Sequence, residues 1–565
     1  MHFPIHIALF GRIIDNGYTP AYMNFGHMYL YSHIAHSDTQ TDLLPMELLV
    51  LTATLAAALF LAIVLRRRRG ARTNGHLPPG PKPWPVIGNL NLLGPLTHRS
   101  LHQLSLRYGP LMSLRLGSVP VVVASSAAAA RLLLKTHDEA LIDRPHLAVG
   151  KHLFYNHSDV FWAPYGTYWR QARRLWHSRL LGERQLRSGE HVRREEVRSL
   201  LRDLHAASSP SSTGGGRRAV QLRDHLLMLN LNVISRMVMG SKYVGEEATS
   251  AATTTPEEFR WMVDEMFLLM GTVNVTDVIP WLSWLDPQGY IGRAKRLSKM
   301  WDGFLEHVLD EHDERRWREG KGFVPNDMVD LLLQLSDEPT IEVPIQRDGI
   351  KAFILDMIGA GTDTSAVTVE WALSELLKSP RALAMATEEL DRVVGHRRLP
   401  TEQDAPHLPF LQAVIKESMR LHPATPLLAP RRCHKATCVE DYDIGEGTCV
   451  AVNAWAIGRD PDVWEASEEF WPERFLGSSI DVKGQDFELL SFGSGRRMCP
   501  GMGLGLRMVQ LTLASLVHAF AWRLPEDTPP EMLCMKERLR FTMPRLVPLE
   551  AVGEPKLPAH LYSPL

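Results

Sequence analysis

The stretch FGSGRRMCPG, Phe492 to Gly501, constrains the fold of this chain more than any other feature. Its glycines allow backbone conformations that other residues rarely adopt, and the segment after it, GMGLGLRMVQLTLASLVHAF, is predicted to be a helix. Cys499 therefore stands just before a helix N-terminus, where free amides and the helix dipole stabilise negative charge on sulfur. A thiolate in a loop that can approach a flat macrocycle closely is a strong ligand for haem iron.

Composition indicates a globular enzyme. The chain has 565 residues, of which 45% are apolar and 22% charged, and its net charge is -2. It can bury a large core and offers no basic surface for nucleic acid. We expect one large catalytic domain over residues 91–565. The five cysteines are odd in number and lack the CxxC spacing of a zinc site, so in a cytosolic domain they should be free thiols.

One long apolar run marks the N-terminal region. Leu48 to Leu65 carries no charged residue, and as a helix with a rise of about 1.5 Å per residue it would be about 27 Å long. That length just spans a thin bilayer such as that of the endoplasmic reticulum. Four arginines, Arg66 to Arg69, follow at once, and their position indicates that everything downstream faces the cytosol. We expect a single-pass anchor at 46–66; a buried core helix is the alternative.

The segments on either side of this run carry weaker signals. Residues 1–45 show no clear periodicity and end just before Met46. We expect Met46 to be the true start and 1–45 to be an uncertain N-terminal extension. Residues 67–90 are basic and then rich in proline, which predicts a semi-rigid linker, extended between the membrane and the folded body.

Within the body, several segments have a clear local pattern. Leu111 to Ser125 alternates and then becomes β-branched, which predicts a strand pair with a turn at 117–120. The tracts 206–218 and 245–256 are polar and low in complexity, so we expect surface loops there.

The segment from Gly349 to Lys378 has helical periodicity but carries GAGTDTS in its middle. Glycine costs about 1 kcal/mol relative to alanine inside a helix, and threonine or serine can bond back to the preceding turn. We therefore expect a local opening of this helix. Its glycines would let a flat group lie against the backbone, and the acid beside an alcohol, Asp363 and Thr364, would supply proton chemistry there.

Taken together, these residues resemble a known family. Phe492, Gly495, Arg497, Cys499 and Gly501 fit the signature FxxGxRxCxG of the cytochrome P450 haem-thiolate monooxygenases. The resemblance extends over nearly all of the chain from about residue 46. It implies a mainly α fold with smaller β-sheets (α+β) behind one transmembrane helix. It also implies haem b as the cofactor, with Cys499 as the axial ligand of the iron.

Two further motifs carry structural expectations. KESMRLHP contains Glu417 and Arg420, and FWPERF contains Arg474. A carboxylate and a guanidinium three residues apart on a helix ordinarily form a weak surface pair. The resemblance implies instead that the three residues form a buried triad behind the haem, needed for folding and haem retention.

Three arginines are candidates for binding the haem propionates. In YGTYWRQARR, Trp169 stands four residues before Arg173, an arrangement similar to the WxxxR element of the family. Arginine suits this task because its planar fork can bond a carboxylate bidentately. The resemblance adds Arg497 and Arg431 as the other propionate contacts, and Phe492 as the shield of the sulfur.

The segment AGTDTS, Ala360 to Ser365, looks like the oxygen-activation motif of the family. In such enzymes the thiolate favours O–O cleavage, and Asp363 and Thr364 would guide protons to the distal oxygen through water. The chain has no dinucleotide fingerprint, because GAGTDT lies inside a helix and fits only two of the three glycines. Electrons must come from a partner. The resemblance implies the membrane-bound NADPH-cytochrome P450 reductase, with cytochrome b5 as a second candidate, at the endoplasmic reticulum membrane.

The chain resembles in particular the plant microsomal group that includes flavonoid hydroxylases and homoterpene-forming members. In this group the segments corresponding to 143–165, 359–363 and 424–428 contact the substrate. Here the last belongs to PATPLLAP, which offers little to recognise a charge. We therefore expect a hydrophobic or phenolic small molecule, with insertion of one oxygen atom.

Three other functions remain open from the sequence. A family member that rearranges peroxides without a reductase often loses the acid and alcohol, and both Asp363 and Thr364 are present here. A non-catalytic, membrane-tethered haem-binding protein would need Cys499 but not Thr364. Oxidative C–C cleavage, as in homoterpene formation, uses the same residues and cannot be separated from hydroxylation by sequence.

Overall fold

A computed structural model describes residues 54–55, 76–208, 217–243, 254–339, 341–526 and 528–563. The chain divides into two units, Met1–Asn74 and Gly75–Leu565, and the second contains all the elements described below. Among the described residues, no helix has both the length and the apolar character required to cross a bilayer. The predicted anchor at 46–66 lies, apart from Thr54 and Leu55, outside the described residues, as does the extension 1–45.

Helices predominate over strands in the second unit, as expected for a mainly α protein. They are α1 (Thr97–Tyr108), α2 (Ala127–Arg131), α3 (Ala148–His152), α4 (Thr167–Leu175), α5 (Glu183–Ser188), α6 (Glu190–Ala207), α7 (Leu222–Met239), α8 (Pro256–Gly271), α9 (Val275–Val278), α10 (Tyr290–Glu319), α11 (Met328–Ser336), α12 (Arg347–Lys378), α13 (Pro380–Val393), α14 (Pro409–Leu421), α15 (Ala454–Ile457) and α16 (Met502–Ala519). Short 3-10 or π turns extend or connect several of them. Local sequence explains some of the ends: α8 begins at a capping box, in which Thr255 Oγ1 accepts from the Glu258 amide at 3.1 Å and Glu258 caps Thr255 in return.

The strands form three small sheets. They are β1 (Leu111–Leu116), β2 (Val119–Ala124), β3 (Val220–Gln221), β4 (Arg431–Arg432), β5 (Thr437–Val439), β6 (Tyr442–Ile444), β7 (Cys449–Val452), β8 (Phe520–Arg523) and β9 (Glu550–Pro555). The largest sheet has the order β1-β2-β7-β4, and the others are β3-β9-β8 and β5-β6. The predicted hairpin is confirmed: β1 and β2 pair antiparallel with Leu116 opposite Val119, and Gly117 makes the turn with a positive φ of 57°.

The central helix α12 is continuous from Arg347 to Lys378, so the expected local opening is wrong. The hydroxyls of Thr362 and Thr364 do bond back, to the carbonyls of Ile358 at 2.6 Å and Ala360 at 2.7 Å, but the helix keeps its own pattern. Packing explains why it does so. Nearly the whole helix is buried, and its two glycines admit large neighbours: a Cβ on Gly359 would lie 2.7 Å from Met266 of α8, and one on Gly361 would lie 2.5 Å from Ile234 of α7.

The described part of the proline-rich segment packs on the folded body instead of standing free, and it turns back on itself where Trp84 pairs with Gly88. The Ser113 amide donates to the Pro79 carbonyl at 2.8 Å, and the Asn89 amide donates to the Arg115 carbonyl at 2.6 Å. These bonds occupy the free edge of β1. Of the predicted surface loops, 209–216 and 244–253 lie outside the described residues, while α6 continues to Ala207.

Glu417, Arg420 and Arg474 come together in one network, in which Glu417 and Arg420 are fully buried and Arg474 is largely buried. Arg420 donates to both oxygens of Glu417, at 2.7 and 2.8 Å, and Arg474 Nε donates to Glu417 Oε1 at 3.1 Å. Arg420 also donates to the carbonyl of Gly458 at 2.5 Å, which links α14 to the segment beyond α15. All five cysteines are free thiols, as predicted.

We predict that Glu417→Ala destabilises the protein strongly. Arg420 and Arg474 would keep their charges in a buried place without the shared carboxylate, and removing one partner of such a pair costs about 3–5 kcal/mol. The matched control is Glu473→Ala, because Glu473 pairs with Arg381 at 3.3 Å and Arg381 is largely exposed; a surface pair is worth about 0–1 kcal/mol. Urea unfolding followed by tryptophan fluorescence should give a much lower midpoint for Glu417→Ala only. Equal midpoints for the two variants would contradict the structural role of the triad.

Candidate active site

The loop before α16 fixes the position of Cys499. Gly493 and Gly495 have positive φ values of 69° and 72°, and a Cβ on Gly495 would lie 2.3 Å from the carbonyl of Leu134, so only glycine fits there. The turn brings the chain back so that the Cys499 amide donates to the Phe492 carbonyl at 3.0 Å. The sulfur is thereby held at the N-terminal end of α16, with the ring of Phe492 in the same cavity.

The charge state of Cys499 depends on what faces it. Burial raises the pKa of the thiol, while the amides of Gly501 and Met502 and the positive charge of Arg173 act to lower this pKa. Burial is the largest of these effects, so the chain alone favours the neutral thiol. A metal cation facing the sulfur would reverse the balance, because a coordinated thiol loses its proton. The amides and Arg173 are already placed to stabilise the resulting thiolate.

A large cavity lies between this loop and α12. Its empty volume is about 2120 Å³, including the mouth that opens to solvent. Cys499 and Phe492 lie on one wall, and Gly359, Gly361 and Thr364 lie on the wall formed by α12. Each of the three segments expected to contact a substrate, 143–165, 359–363 and 424–428, contributes residues to the lining.

Away from Cys499, the cavity wall is apolar and rich in methionine and phenylalanine. The residues that give it this character include Phe161, Met237, Met266, Phe267, Met357 and Phe541. Methionine is flexible and fills irregular space, so this wall can adapt to an apolar ligand but provides few fixed hydrogen-bonding groups. Of these six residues, only Phe161 lies in a segment predicted to contact the substrate, because the other five come from distant parts of the chain.

Four arginines line the cavity: the predicted Arg173, Arg431 and Arg497, together with Arg144, which the sequence did not reveal. Arg144, Arg431 and Arg497 are buried, and Arg173 is partly buried. Burial lowers the pKa of Arg173 to about 10 and that of Arg497 to about 9, and it also lowers the pKa values of Arg431 and Arg144. Neighbouring positive charges lower the pKa values of Arg144 and Arg497 further. The site therefore holds an excess of confined positive charge.

The contacts of these arginines show how little of that charge is neutralised. Of these four arginines, only Arg431 forms an ion pair with a described residue: its guanidinium lies 2.6 Å from Asp138 Oδ1. Arg173 donates to the Met498 carbonyl. Arg497 donates to the carbonyls of Ile142 at 3.0 Å and Ala163 at 2.7 Å. Arg144 donates only to backbone carbonyls too, such as that of Phe161 at 2.9 Å.

Trp169 supports this group of charges. Its ring lies 4.1 Å from the guanidinium carbon of Arg497, which is a cation–π contact, and its Nε1 donates to the Val160 carbonyl at 3.1 Å. Trp169 and Arg173, one turn apart on α4, both line the cavity.

The two residues predicted for proton chemistry do not face the same space. Thr364 lines the cavity, and its hydroxyl donates to the Ala360 carbonyl at 2.7 Å. Asp363 is buried on another side of α12 and is not among the lining residues. Its carboxylate accepts from the Thr542 hydroxyl, and burial raises its pKa. Thr542 lies far along the chain and carries no motif, so this partner could not be identified from sequence.

Haem fits the site on two grounds. A buried excess of guanidinium charge calls for a ligand with more than one negative group, and haem carries two propionates. A thiol at a helix N-terminus gains its charge when a metal cation faces it. The donors are also of the kind that this group requires: a cysteine sulfur for iron and arginines for carboxylates.

Comparison with known proteins agrees with this geometry. The family model described as Cytochrome P450 matches residues 78–547. The chain belongs to the cytochrome P450 family. It is accordingly a haem-thiolate monooxygenase, and the resemblance noted in the sequence is confirmed. A P450 of this class needs a redox partner, O2 and an organic substrate.

Plant P450s are among its similar relatives. Trimethyltridecatetraene synthase and dimethylnonatriene synthase, both from Zea mays, are 47% and 48% identical. The first alignment covers 91% of this chain and 95% of the relative, and the second covers 90% and 97%. Flavonoid 3'-monooxygenase from Arabidopsis thaliana is 42% identical, with 92% of this chain and 99% of the relative covered.

Solved structures show the same fold. A zebra fish cytochrome P450 structure with abiraterone has a TM-score of 0.66 and 27% identity, and the match covers 81% of this chain and 99% of that one. A zebra fish cytochrome P450 structure with progesterone gives a TM-score of 0.65. The helix-rich P450 fold with small sheets is thus confirmed for the described body, while the predicted membrane helix lies outside it.

We predict that Arg497→Leu weakens haem binding by about tenfold or more, since a hydrogen bond to a charged group contributes about 1.5–3 kcal/mol. The matched control is the neighbouring Arg496→Leu, because Arg496 is exposed and does not line the cavity. Transfer of haem to excess apomyoglobin should be much faster from Arg497→Leu than from Arg496→Leu. Equal transfer rates would contradict the assignment of Arg497 to a haem propionate.

Proposed function

We propose that this P450 inserts one oxygen atom from O2 into a hydrophobic or phenolic small molecule of plant specialised metabolism. The observation that carries the proposal is a single cavity that holds the sulfur of Cys499, the buried arginines, the hydroxyl of Thr364 and an apolar outer wall. The same cavity can therefore accept a haem, O2 and a substrate.

In this proposal the sulfur of Cys499 would bind the haem iron. Arg173, Arg431 and Arg497 bind the propionates, and Trp169 holds Arg497 in place. Phe492 keeps water from the sulfur. Haem ligated by a thiolate supplies the activation of O2. Arg431 would exchange part of its bond to Asp138 for a propionate, whereas Arg497 has no acid to give up.

The proposed proton path runs through Thr364, whose hydroxyl lines the cavity and would hold a water that carries protons into it. Asp363 would stand behind it as an acid. Burial raises the pKa of this carboxyl, which favours its protonated form, and the Thr542 hydroxyl is its neighbouring group. Because Asp363 does not line the cavity, Thr364 is the one of the two that faces it.

For the substrate, two reactions deserve separate assays. The apolar wall rich in methionine suits an adaptable, weakly polar molecule. Relatives at 47% and 48% identity are named as synthases of the acyclic polyenes trimethyltridecatetraene and dimethylnonatriene, and one at 42% as a flavonoid 3'-monooxygenase. Hydroxylation is the first candidate, and oxidative C–C cleavage of a terpene alcohol to a homoterpene is the second. A product that gains an oxygen indicates the first, and a shortened hydrocarbon indicates the second.

We also propose a place for the enzyme at the endoplasmic reticulum membrane, facing the cytosol, with NADPH-cytochrome P450 reductase and cytochrome b5 as electron donors. The apolar run from Leu48 to Leu65 and the arginines after it support an anchor. The body adds an exposed apolar patch, in which Trp281, Trp284 and Leu285 are 55%, 79% and 51% exposed. Exposed tryptophans are typical of surfaces that meet a bilayer interface.

We predict that Thr364→Ala uncouples electron use from product formation. The matched control is Thr362→Ala, because Thr362 lies on the same helix, makes the same bond to its own preceding turn and does not line this cavity. With NADPH-cytochrome P450 reductase, and with an acyclic terpene alcohol or a flavanone as the test substrate, Thr364→Ala should form product at least about tenfold more slowly. Peroxide per NADPH should rise in this variant alone.

A protein without catalytic function gives a different pattern. It would form no product from either substrate in the wild type, and Thr364→Ala would leave NADPH consumption unchanged. An equal rise in peroxide with both variants would mean that helix packing, and not the Thr364 hydroxyl, controls the coupling.

A further inference from the structure

Two carboxyl groups meet beside the substrate part of the cavity, and the proposed mechanism uses neither. Asp159 is fully buried in the loop before α4, and Asp356 is buried on α12, one turn before Gly359. The two carboxyls lie within hydrogen-bonding reach of each other. Two carboxyl groups can form such a bond only when one of them carries a proton. Asp356 lines the cavity.

Both carboxyls also hold the backbone of the loop segment 160–162. Asp356 Oδ2 accepts from the amides of Val160 at 2.8 Å and Phe161 at 3.2 Å. Asp159 accepts from the amide of Trp162 at 3.1 Å. Three successive amides of the loop therefore end on this one pair of acids.

The indole of Trp169 and the guanidinium of Arg144 hold the same segment by donating to its carbonyls. Trp169 donates to the Val160 carbonyl at 3.1 Å, and Arg144 Nε donates to the Phe161 carbonyl at 2.9 Å. The amides of the segment are thus held by the acid pair, and its carbonyls are held by Trp169 and Arg144, which lie at the proposed haem site. A shift of this loop would therefore change the contacts of the acids and those of Trp169 and Arg144.

The loop forms part of the apolar cavity wall. Val160 and Phe161 are lining residues. The ring of Phe161 contacts that of Phe541 edge to face, with 5.6 Å between the ring centroids. Phe541 is itself a lining residue. The position of the loop therefore determines the shape of the space left for a substrate.

The surroundings favour one shared proton. Burial raises the pKa of both acids, and that of Asp356 rises to about 7. Arg144 lowers the pKa of Asp356 by its charge, but no cation is bonded to either acid among the described residues. Two charged or titratable groups on neighbouring elements also lie close to the pair. Both acids raise the pKa of Tyr168 on α4, and Asp159 acts to raise the pKa of Arg497. Lys351, earlier on α12, is bonded to Asp302 and Glu306.

We propose that Asp159 and Asp356 share one proton and act as a clamp that positions the loop bearing Val160 and Phe161 against the substrate. The proposal rests on the proposed function in so far as this cavity is the substrate site. While the proton is present, the pair is bonded and the loop is fixed. When it is lost, two adjacent anions repel each other and the loop loosens.

The sign of the pH dependence follows from the raised pKa values. An acid whose pKa is higher in the folded protein than in the unfolded chain contributes stability at low pH and loses it as the pH rises through the folded value. The clamp should therefore be closed in mildly acidic solution and weaken above neutrality, in the range set by Asp356.

Asp356→Asn provides the sharpest test. The amide oxygen of asparagine can still accept from Val160 and Phe161, and its NH2 group can donate to Asp159, so the variant reproduces the singly protonated pair without a proton to lose. Asp356→Leu removes the acceptors at every pH. Asp302→Asn is the control, because it changes a half-exposed acid bonded to Lys351 on the same helix and leaves the pair intact.

Two measurements on the full-length holoenzyme report on the clamp. Amide hydrogen exchange of 160–162, corrected for the intrinsic rate, is compared at about pH 6 and about pH 8.5, on either side of the range in which the pair titrates. The dissociation constant of 1-phenylimidazole is measured from the Soret shift at the same two pH values. Protonation of this probe is common to all the proteins and cancels in their comparison.

In the wild type and Asp302→Asn, we expect protection of the loop to fall by about tenfold or more at the higher pH. Probe binding should weaken in parallel. In Asp356→Asn both quantities should show no such fall, and Asp356→Leu should be poorly protected at both pH values. Loss of protection in the wild type that persists unchanged in Asp356→Asn would overturn the proposal, as would a wild-type loop with the same protection at both pH values.

These outcomes are separate from those of the proposed function. Hydrogen exchange needs no turnover, so an enzyme that oxidises neither test substrate can still show the expected exchange pattern. Conversely, normal product formation together with protection that does not depend on pH would leave the function intact and refute the clamp.

Discussion

The concentration of positive charge around one buried cavity is the constraint on which the rest of this structure depends. Four guanidinium groups, from Arg144, Arg173, Arg431 and Arg497, line a space in which Asp138 is the one directly paired acid among the described residues. Buried charges without partners are expensive. The arginines are held there by backbone carbonyls, which satisfy their N–H groups but not their charge. A dianionic group supplies the missing balance, and haem with its two propionates is such a group.

The same elements that hold this charge also set the other walls. Carbonyls of the loop 160–163 accept hydrogen bonds from Trp169 and Arg497. Its amides donate to the carboxyls of Asp159 and Asp356. Helix α12 supplies glycines where neighbouring helices approach and Thr364 where the cavity begins. The haem side and the substrate side are therefore not independent, because one short loop connects them.

Sequence alone could predict the parts of this arrangement that are local. The loop from Phe492 to Gly501, the hairpin of β1 and β2 and the helix α12 follow from short patterns, and the structure contains them. The pairing of Glu417 with Arg420 is also local, while Arg474 was found only through the family motif. Residues 46–66 could be read as an anchor from hydropathy and charge order, and they fall outside the described residues apart from Thr54 and Leu55.

Features that depend on distant contacts could not be predicted. The intact backbone of α12 depends on Met266 and Ile234, which pack against its glycines. The orientation of Asp363 depends on Thr542, 179 residues away, so the sequence could not show that Asp363 and Thr364 lie on different sides of α12. Asp356 receives amides from a loop about 195 residues earlier in the chain. A single sequence carries no periodicity or spacing that would reveal such pairs.

The central claim is that the sulfur of Cys499 is the axial ligand of haem iron. The reduced carbon monoxide difference spectrum of membranes expressing residues 46–565 tests it most directly, with Cys499→Ala as the comparison. The account predicts a Soret band at about 450 nm, the hallmark of thiolate-ligated haem in this family, that is lost in the variant. A folded, haem-containing wild type without the band, or a variant that keeps it, would contradict the account.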